Sequence, residues 1–154
     1  MQATWTRALA QAAALTFEEL CFVVAEPQPP TAQGDVRADM AVAVAFSGPF
    51  AGVLVVQLEQ ALLEVLAANM LGDEAPPSAA QQEDALKEIA NVICGNVLPR
   101  LAGAEQVFRL QAPRRVSVAL PGAGVAEVVL WIEGWPVQVQ LYAEVPAAVE
   151  EPSP

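Results

Sequence analysis

The sequence predicts an α+β domain in which long helices pack against a largely antiparallel sheet. Two observations carry this reading. The hydrophobic period switches repeatedly between helical and alternating along the chain, and the strand-like stretches come in adjacent pairs joined by turn residues, as antiparallel hairpins require. At 154 residues the length suits one domain able to bury roughly two thirds of its unfolded surface without a disulfide or metal staple. That domain is expected to span 1–146, with 147–154 a flexible acidic, proline-rich tail.

Each element follows from local chemistry. Trp5 to Val24 reads as an amphipathic first helix, with Leu9, Ala12, Ala13, Leu20 and Val24 along one broad side. Its alanine-rich stretch from Ala8 to Leu15 imitates a secretory leader, but only Arg7 precedes it, Gln11 interrupts it, and Glu18 and Glu19 follow. The prolines between Glu26 and Gly34 fix φ and remove donors, so that segment is a connector. Asp39 to Phe46 alternates as a strand, Ser47 to Phe50 supplies a turn, and Gly52 to Leu58 is rich in β-branched residues. A hairpin results.

From Gln60 the period becomes helical, placing Leu62, Leu63, Leu66 and Met70 on one side and Gly72 where a helix would stop. After a polar loop from Asp73 to Pro77, Ser78-Ala-Ala-Gln81 matches a capping box and opens a long helix. Pro99 predicts a kink or early finish of that helix near Gly95, whose carbonyl it crowds. Strand character returns at Gln106 to Leu110, Val116 to Leu120, Ala126 to Ile132 and Trp135 to Tyr142, the last two joined at Glu133-Gly134.

Composition excludes several function classes. A formal net charge of −11 repels nucleic acid and anionic membrane surfaces, and no apolar run of spanning length lacks a polar break. Arg109, Arg114 and Arg115 form the one local basic cluster and read as charges on the open face of a sheet. With no histidine, imidazole-based mechanisms and the commonest zinc ligand are missing. Cys21 and Cys94 lack metal-binding spacing and read as buried thiols of a cytoplasmic protein. No glycine-rich phosphate loop is present.

The long helix carries the one pattern with chemical content. Asp84, Glu88, Asn91 and Gly95 recur at intervals of four, three and four. At about 100° per residue they fall within roughly 60° of one another, opposite Leu86, Ile89, Ala90, Ile93 and Val97. A carboxylate and a carboxamide thus face outward one turn apart. Asparagine offers a donor and an acceptor that do not titrate, suited to holding a water; glutamate offers a charge that pairs with lysine. Such a pair suits a reaction whose electrophile is activated elsewhere, for which positioning is the missing contribution. Hydrolysis of a phosphoryl group carried by another protein has that character. Gly95, unfavourable in a helix interior, suggests close approach of a partner. Asp84, in the early turns, also has a simple role in stabilising the helix dipole.

Asp84-x3-Glu88-x2-Asn91 matches the (Asp/Ser)-x3-Glu-x2-Asn signature of the CheC/CheX/FliY chemotaxis phosphatases, and Glu88-Ile-Ala-Asn91-Val-Ile-Cys-Gly95-Asn96 resembles the corresponding helix of CheX. Pro113 follows Asn91 by 22 positions, one fewer than in the family signature. The Phe46-Ser-Gly-Pro-Phe-Ala-Gly-Val hairpin and the Asn69-Met-Leu-Gly72 helix end add to the likeness, which covers most of residues 1–145. The resemblance implies a CheX-like fold and a cytoplasmic phosphatase acting on the aspartyl-phosphate of a CheY-like receiver domain. It implies that Asn91 orients the attacking water and that Glu88 pairs with the receiver's lysine. Any Mg²⁺ belongs to the receiver, and this chain binds no cofactor or metal itself. A single motif implies a homodimer of the CheX kind; Glu18 and Glu19 of the first helix are followed by Cys21 and Phe22, so no second motif arises there. Val92, Gly95 and Leu98, flanking or within the polar stripe, are the expected partner contacts. Two alternatives stay open: an adaptor of the same fold that binds receivers without turnover, and a small acidic secretion chaperone.

Overall fold

The computed structural model describes residues 2–27, 37–72, 75–117 and 125–144. Three helices, α1 (Gln2–Cys21), α2 (Gln60–Leu71) and α3 (Ala79–Ala102), accompany six strands: β1 (Met40–Ser47), β2 (Ala51–Leu58), β3 (Arg109–Leu110), β4 (Arg114–Arg115), β5 (Ala126–Ile132) and β6 (Trp135–Glu144). The strands form one antiparallel sheet in the order β3-β1-β2-β6-β5, with β4 also pairing along β1. The α+β expectation is met. The proline-rich connector beyond Pro27, the start of the loop at Asp73, residues 118–120 of the expected Val116–Leu120 strand and the tail 147–154 lie outside the described residues; Val116 and Ser117 follow β4 and are not in a strand, the pairing with β1 falling at Arg114–Arg115 instead.

Alternation along the strands sorts side chains onto two faces. Val42, Val44, Phe46, Leu54, Val56, Leu58, Val137, Val139 and Leu141 point to the helices and build the main core. α1 lies over β5 and β6, α3 over β1 and β2, and α2 packs on both long helices. Ala41, Ala43 and Val55 occupy the other face, beside a polar ladder in which Gln57 donates to Gln140 at 2.7 Å and Gln140 donates to Glu127 at 2.8 Å. Burying those amides is tolerable because they satisfy one another. An aromatic cluster of Trp5, Phe46, Phe50 and Phe108, with ring centroids 5.2–6.0 Å apart, closes one end of the core.

Turn and cap chemistry accounts for the boundaries. Glu133 (φ 51°) and Gly134 (φ 84°) both lie in the left-handed region, the requirement of the two-residue turn that matches strand twist. Gly72 ends α2 at φ 64° and donates its N–H to Ala68. At the start of α3 the Ser78 hydroxyl accepts from the Gln81 amide at 3.1 Å while the Gln81 side chain accepts from the Ser78 N–H at 2.8 Å. Ser78→Ala is expected to destabilise the domain by about 1 kcal/mol, read as a lowered urea midpoint at unchanged slope.

Three expectations need correction. α1 ends at Cys21, not Val24, because Phe22 turns left-handed (φ 58°), so Val24 is 71% exposed instead of sharing the buried side. α3 does not finish near Gly95; it continues through Pro99 to Ala102. Proline takes away one donor, but the helix loses only that bond, and the Gly103 N–H still reaches the Pro99 carbonyl at 2.9 Å. The strand placed at Gln106 to Leu110 contracts to Arg109–Leu110, whose partner β1 offers only Phe46 and Ser47.

Candidate functional site

α3 presents the sequence-predicted stripe as a continuous outward surface. Asp84, Glu88 and Gly95 are exposed and Asn91 is half-buried, while Leu86, Ile89, Ala90, Ile93 and Val97 are fully buried beneath them. Glu88 and Asn91 therefore share one turn of one rigid helix and face the same way. Among the described residues neither makes a hydrogen bond or ion pair, so both are available to a partner.

The flanks differ from the single-helix expectation. Val92 is half-exposed beside Asn91 and remains on the surface. Leu98 is 1% exposed and belongs to the core, which removes it from the partner-contacting surface. The reason is geometric: the buried side of α3 drifts around the helix along its 24 residues, from Ala85 and Ile89 near the start to Cys94 and Leu98 near the end. A straight helix crossing a twisted sheet exposes a slanting stripe, not one parallel to its axis.

Gly95 is exposed, and a Cβ placed on it would meet nothing within 4 Å. The fold itself does not demand glycine here. Gly95→Ala is expected to raise stability by roughly 0.5–1 kcal/mol in a chemical melt, and any loss of partner binding in that variant isolates close approach as the glycine's role.

Neighbouring charges are arranged around the stripe. Lys87 lies 3.1 Å from Glu83, one turn earlier, and its hydrogen bond holds the Glu83 carboxyl below the usual glutamate range; Arg115 of β4, 3.5 Å away, acts in the same direction. Lys87 is thus engaged off the stripe, leaving Asp84 and Glu88 without a neutralising neighbour. Arg115 is a sheet-edge charge used to tie β4 to α3, and Arg109 and Arg114 are exposed.

Burial pushes both thiols up to about 12, so Cys21 and Cys94 are protonated core residues at neutral pH. No group of three or more acidic or cysteine side chains capable of holding a metal occurs among the described residues. No described helix is long and apolar enough to cross a membrane.

Sequence reasoning missed the supports of α2, the helix beside the stripe. Asp39, at the entry to β1, accepts from the Gln60 N–H at 2.6 Å and caps α2 from another segment. Asn69 donates to the Cys21 carbonyl at 2.9 Å and ties the far end of α2 to α1. These partners lie 21 and 48 residues apart in sequence, so no local pattern announces them.

Known proteins share this architecture. The CheX structure from Desulfovibrio desulfuricans superposes with a TM-score of 0.72 at 16% identity, covering 91% of this chain and 99% of that one. CheX from Vibrio vulnificus gives 0.70 at 18% identity, covering 94% and 99%. The CheX of a CheX-CheY-BeF3-Mg²⁺ complex from Borrelia burgdorferi gives 0.66 at 14% identity, covering 91% and 97%. At these identities the likeness establishes the fold. Among curated protein sequences none matches significantly. The family described as "Chemotaxis phosphatase CheX" matches residues 40–121, from the first strand through the whole of α3 and beyond β4. With more than half of its sequence matched by that family, the chain belongs to the CheX family.

Proposed function

We propose that this protein is a cytoplasmic phosphatase that accelerates hydrolysis of the aspartyl-phosphate on a CheY-like response-regulator receiver. The observation that carries the reading is the pairing of exposed Glu88 with half-buried Asn91 on one outward turn of α3, both without partners among the described residues. The Asn91 carboxamide holds a water in line with the phosphorus, accepting from it through the side-chain oxygen or donating to it through the amide nitrogen. As the water oxygen bonds to phosphorus, the bond to the aspartyl oxygen breaks, leaving the receiver's carboxylate and inorganic phosphate. The water's proton passes to solvent. An acyl phosphate already has a good leaving group, so fixing the nucleophile suffices and no strong base is needed on this chain.

Glu88, a full charge on an exposed helix face, pairs with the receiver's active-site lysine and sets the register in which Asn91 enters. Val92 and Gly95 complete the contact. The metal of the reaction belongs to the receiver: the Borrelia burgdorferi CheX structure was obtained as a complex with CheY, BeF3 and Mg²⁺, which supports that division of labour. The protein acts as a homodimer of single domains spanning 1–146, each bearing one site.

The test is a profile of phosphorylated receivers from the source organism, followed for loss of phosphate with and without the protein. At least one receiver is expected to lose phosphate on the order of 10- to 100-fold faster. Unchanged decay of every receiver overturns the proposal. Tight binding without faster decay replaces it with the adaptor reading.

A further inference from the structure

Beside the catalytic turn, the C-terminal end of α2 and the first half of α3 enclose a hollow of about 260 Å³ lined by Met70, Leu71, Gln81, Asp84, Ala85 and Glu88. Its two walls are chemically opposite. Met70, Ala85 and Leu71 give an apolar side, and Leu71 is 47% exposed there, far more than a leucine needed for packing. Asp84 and Glu88, one turn apart, give an anionic side, and neither has a hydrogen bond or ion pair among the described residues. Gln81 is held still because its side-chain oxygen is committed to the Ser78 N–H. The only nearby cation on α3, Lys87, is bound to Glu83 on another side of the helix.

We propose that this hollow receives a lysine or arginine side chain of the receiver, distinct from the receiver lysine that meets Glu88, with Asp84 pairing to its charge and Met70 and Leu71 covering its methylenes. Long basic side chains combine an apolar stem with a charged head, and the hollow offers the matching surfaces in that order. Position supports the same occupant. The stripe runs without interruption from Asp84 through Glu88 to Asn91, so a receiver seated over Asn91 also lies over the hollow. Overall charge supplies a reason for it: a chain of net charge −11 repels an acidic phosphorylated partner, and discrete cation sites at the contact offset that repulsion locally. Asp84 is then a docking residue and more than a helix-dipole group.

The inference rests on the reading that a receiver docks on α3, and its test separates the two. The full-length protein is titrated with the Mg²⁺-loaded, beryllofluoride-activated receiver identified by the phosphorylation profile. Asp84→Lys is expected to raise Kd at least about 10-fold, and Asp84→Asn and Leu71→Ser by smaller factors, since like charge replaces opposite charge only in the first. The salt dependence of binding should change most in Asp84→Lys. Both positions are exposed, and thermal melts verify folding. Native affinity in both Asp84→Lys and Leu71→Ser overturns the proposal, as does a change in self-association with receiver affinity intact, which assigns the hollow to a second copy. Asn91→Ala, run alongside, judges the parent reading separately: it should bind but fail to accelerate decay.

Discussion

Replacing Asn91 with alanine should reduce the acceleration of receiver dephosphorylation on the order of 100-fold, about 2.7 kcal/mol of lost transition-state stabilisation, while the protein stays folded. The size of the effect follows from the economy of the site. If the receiver already supplies metal, electrophile and leaving group, this chain's contribution is almost entirely the placement of one water, and one side chain performs it. Stability should be spared because the Asn91 side chain is half-buried and bonds to no described group, a setting in which substitutions shift stability by less than about 0.5 kcal/mol. Single-turnover decay of a labelled phospho-receiver at saturating protein is the measurement. Retained acceleration in Asn91→Ala would remove the water-positioning role even if the receiver still bound. Glu88→Gln should act differently, weakening affinity more than the saturated rate, since its pairing orients the complex without touching the nucleophile.

The second large effect concerns the scaffold. Gly52→Ala should destabilise the domain by about 1–3 kcal/mol, lowering Tm by roughly 5–10 °C. Gly52 sits on β2 opposite Ala143 of β6, and a Cβ there would run into the Tyr142 carbonyl oxygen and lie 2.8 Å from Phe46 Cζ and 2.9 Å from the Ala143 Cα. Two of those three obstacles are backbone and cannot rotate away. Relief requires the central β2–β6 pair to separate locally, which disturbs ladder bonds at the middle of the sheet. A Tm at or above the native value would show that the two strands do not approach this closely. The contrast with Gly95, where a Cβ would meet nothing within 4 Å, is instructive: the fold demands glycine at the first position and not at the second.

Local chemistry made most of the architecture legible. The capping box at Ser78, the stop at Gly72 and the turn at Glu133-Gly134 each depend on residues within a few positions of one another, and each occurs as the sequence predicts. The outward stripe of α3 was legible for the same reason, as a matter of helical period. What escaped was decided across the chain. Phe22 takes a left-handed conformation that phenylalanine rarely adopts, because its place is set by the end of α1 against α2, where Asn69 holds the Cys21 carbonyl. Leu98 lies near the stripe on an isolated helix yet is buried in the core that α3 shares with its neighbouring elements. The hollow between α2 and α3 joins residues from two helices, and nothing in either segment alone announces it. The Asp39 cap and the Arg115 link to Glu83 likewise depend on tertiary placement.

Lys87 is the chain's one lysine, paired with Glu83 and immediately preceding Glu88. Within this sequence an amine-reactive fluorophore consequently has a single side-chain attachment point, and it is next to the turn proposed to meet the receiver. A dye coupled there would report complex formation through its own emission, without engineered cysteines.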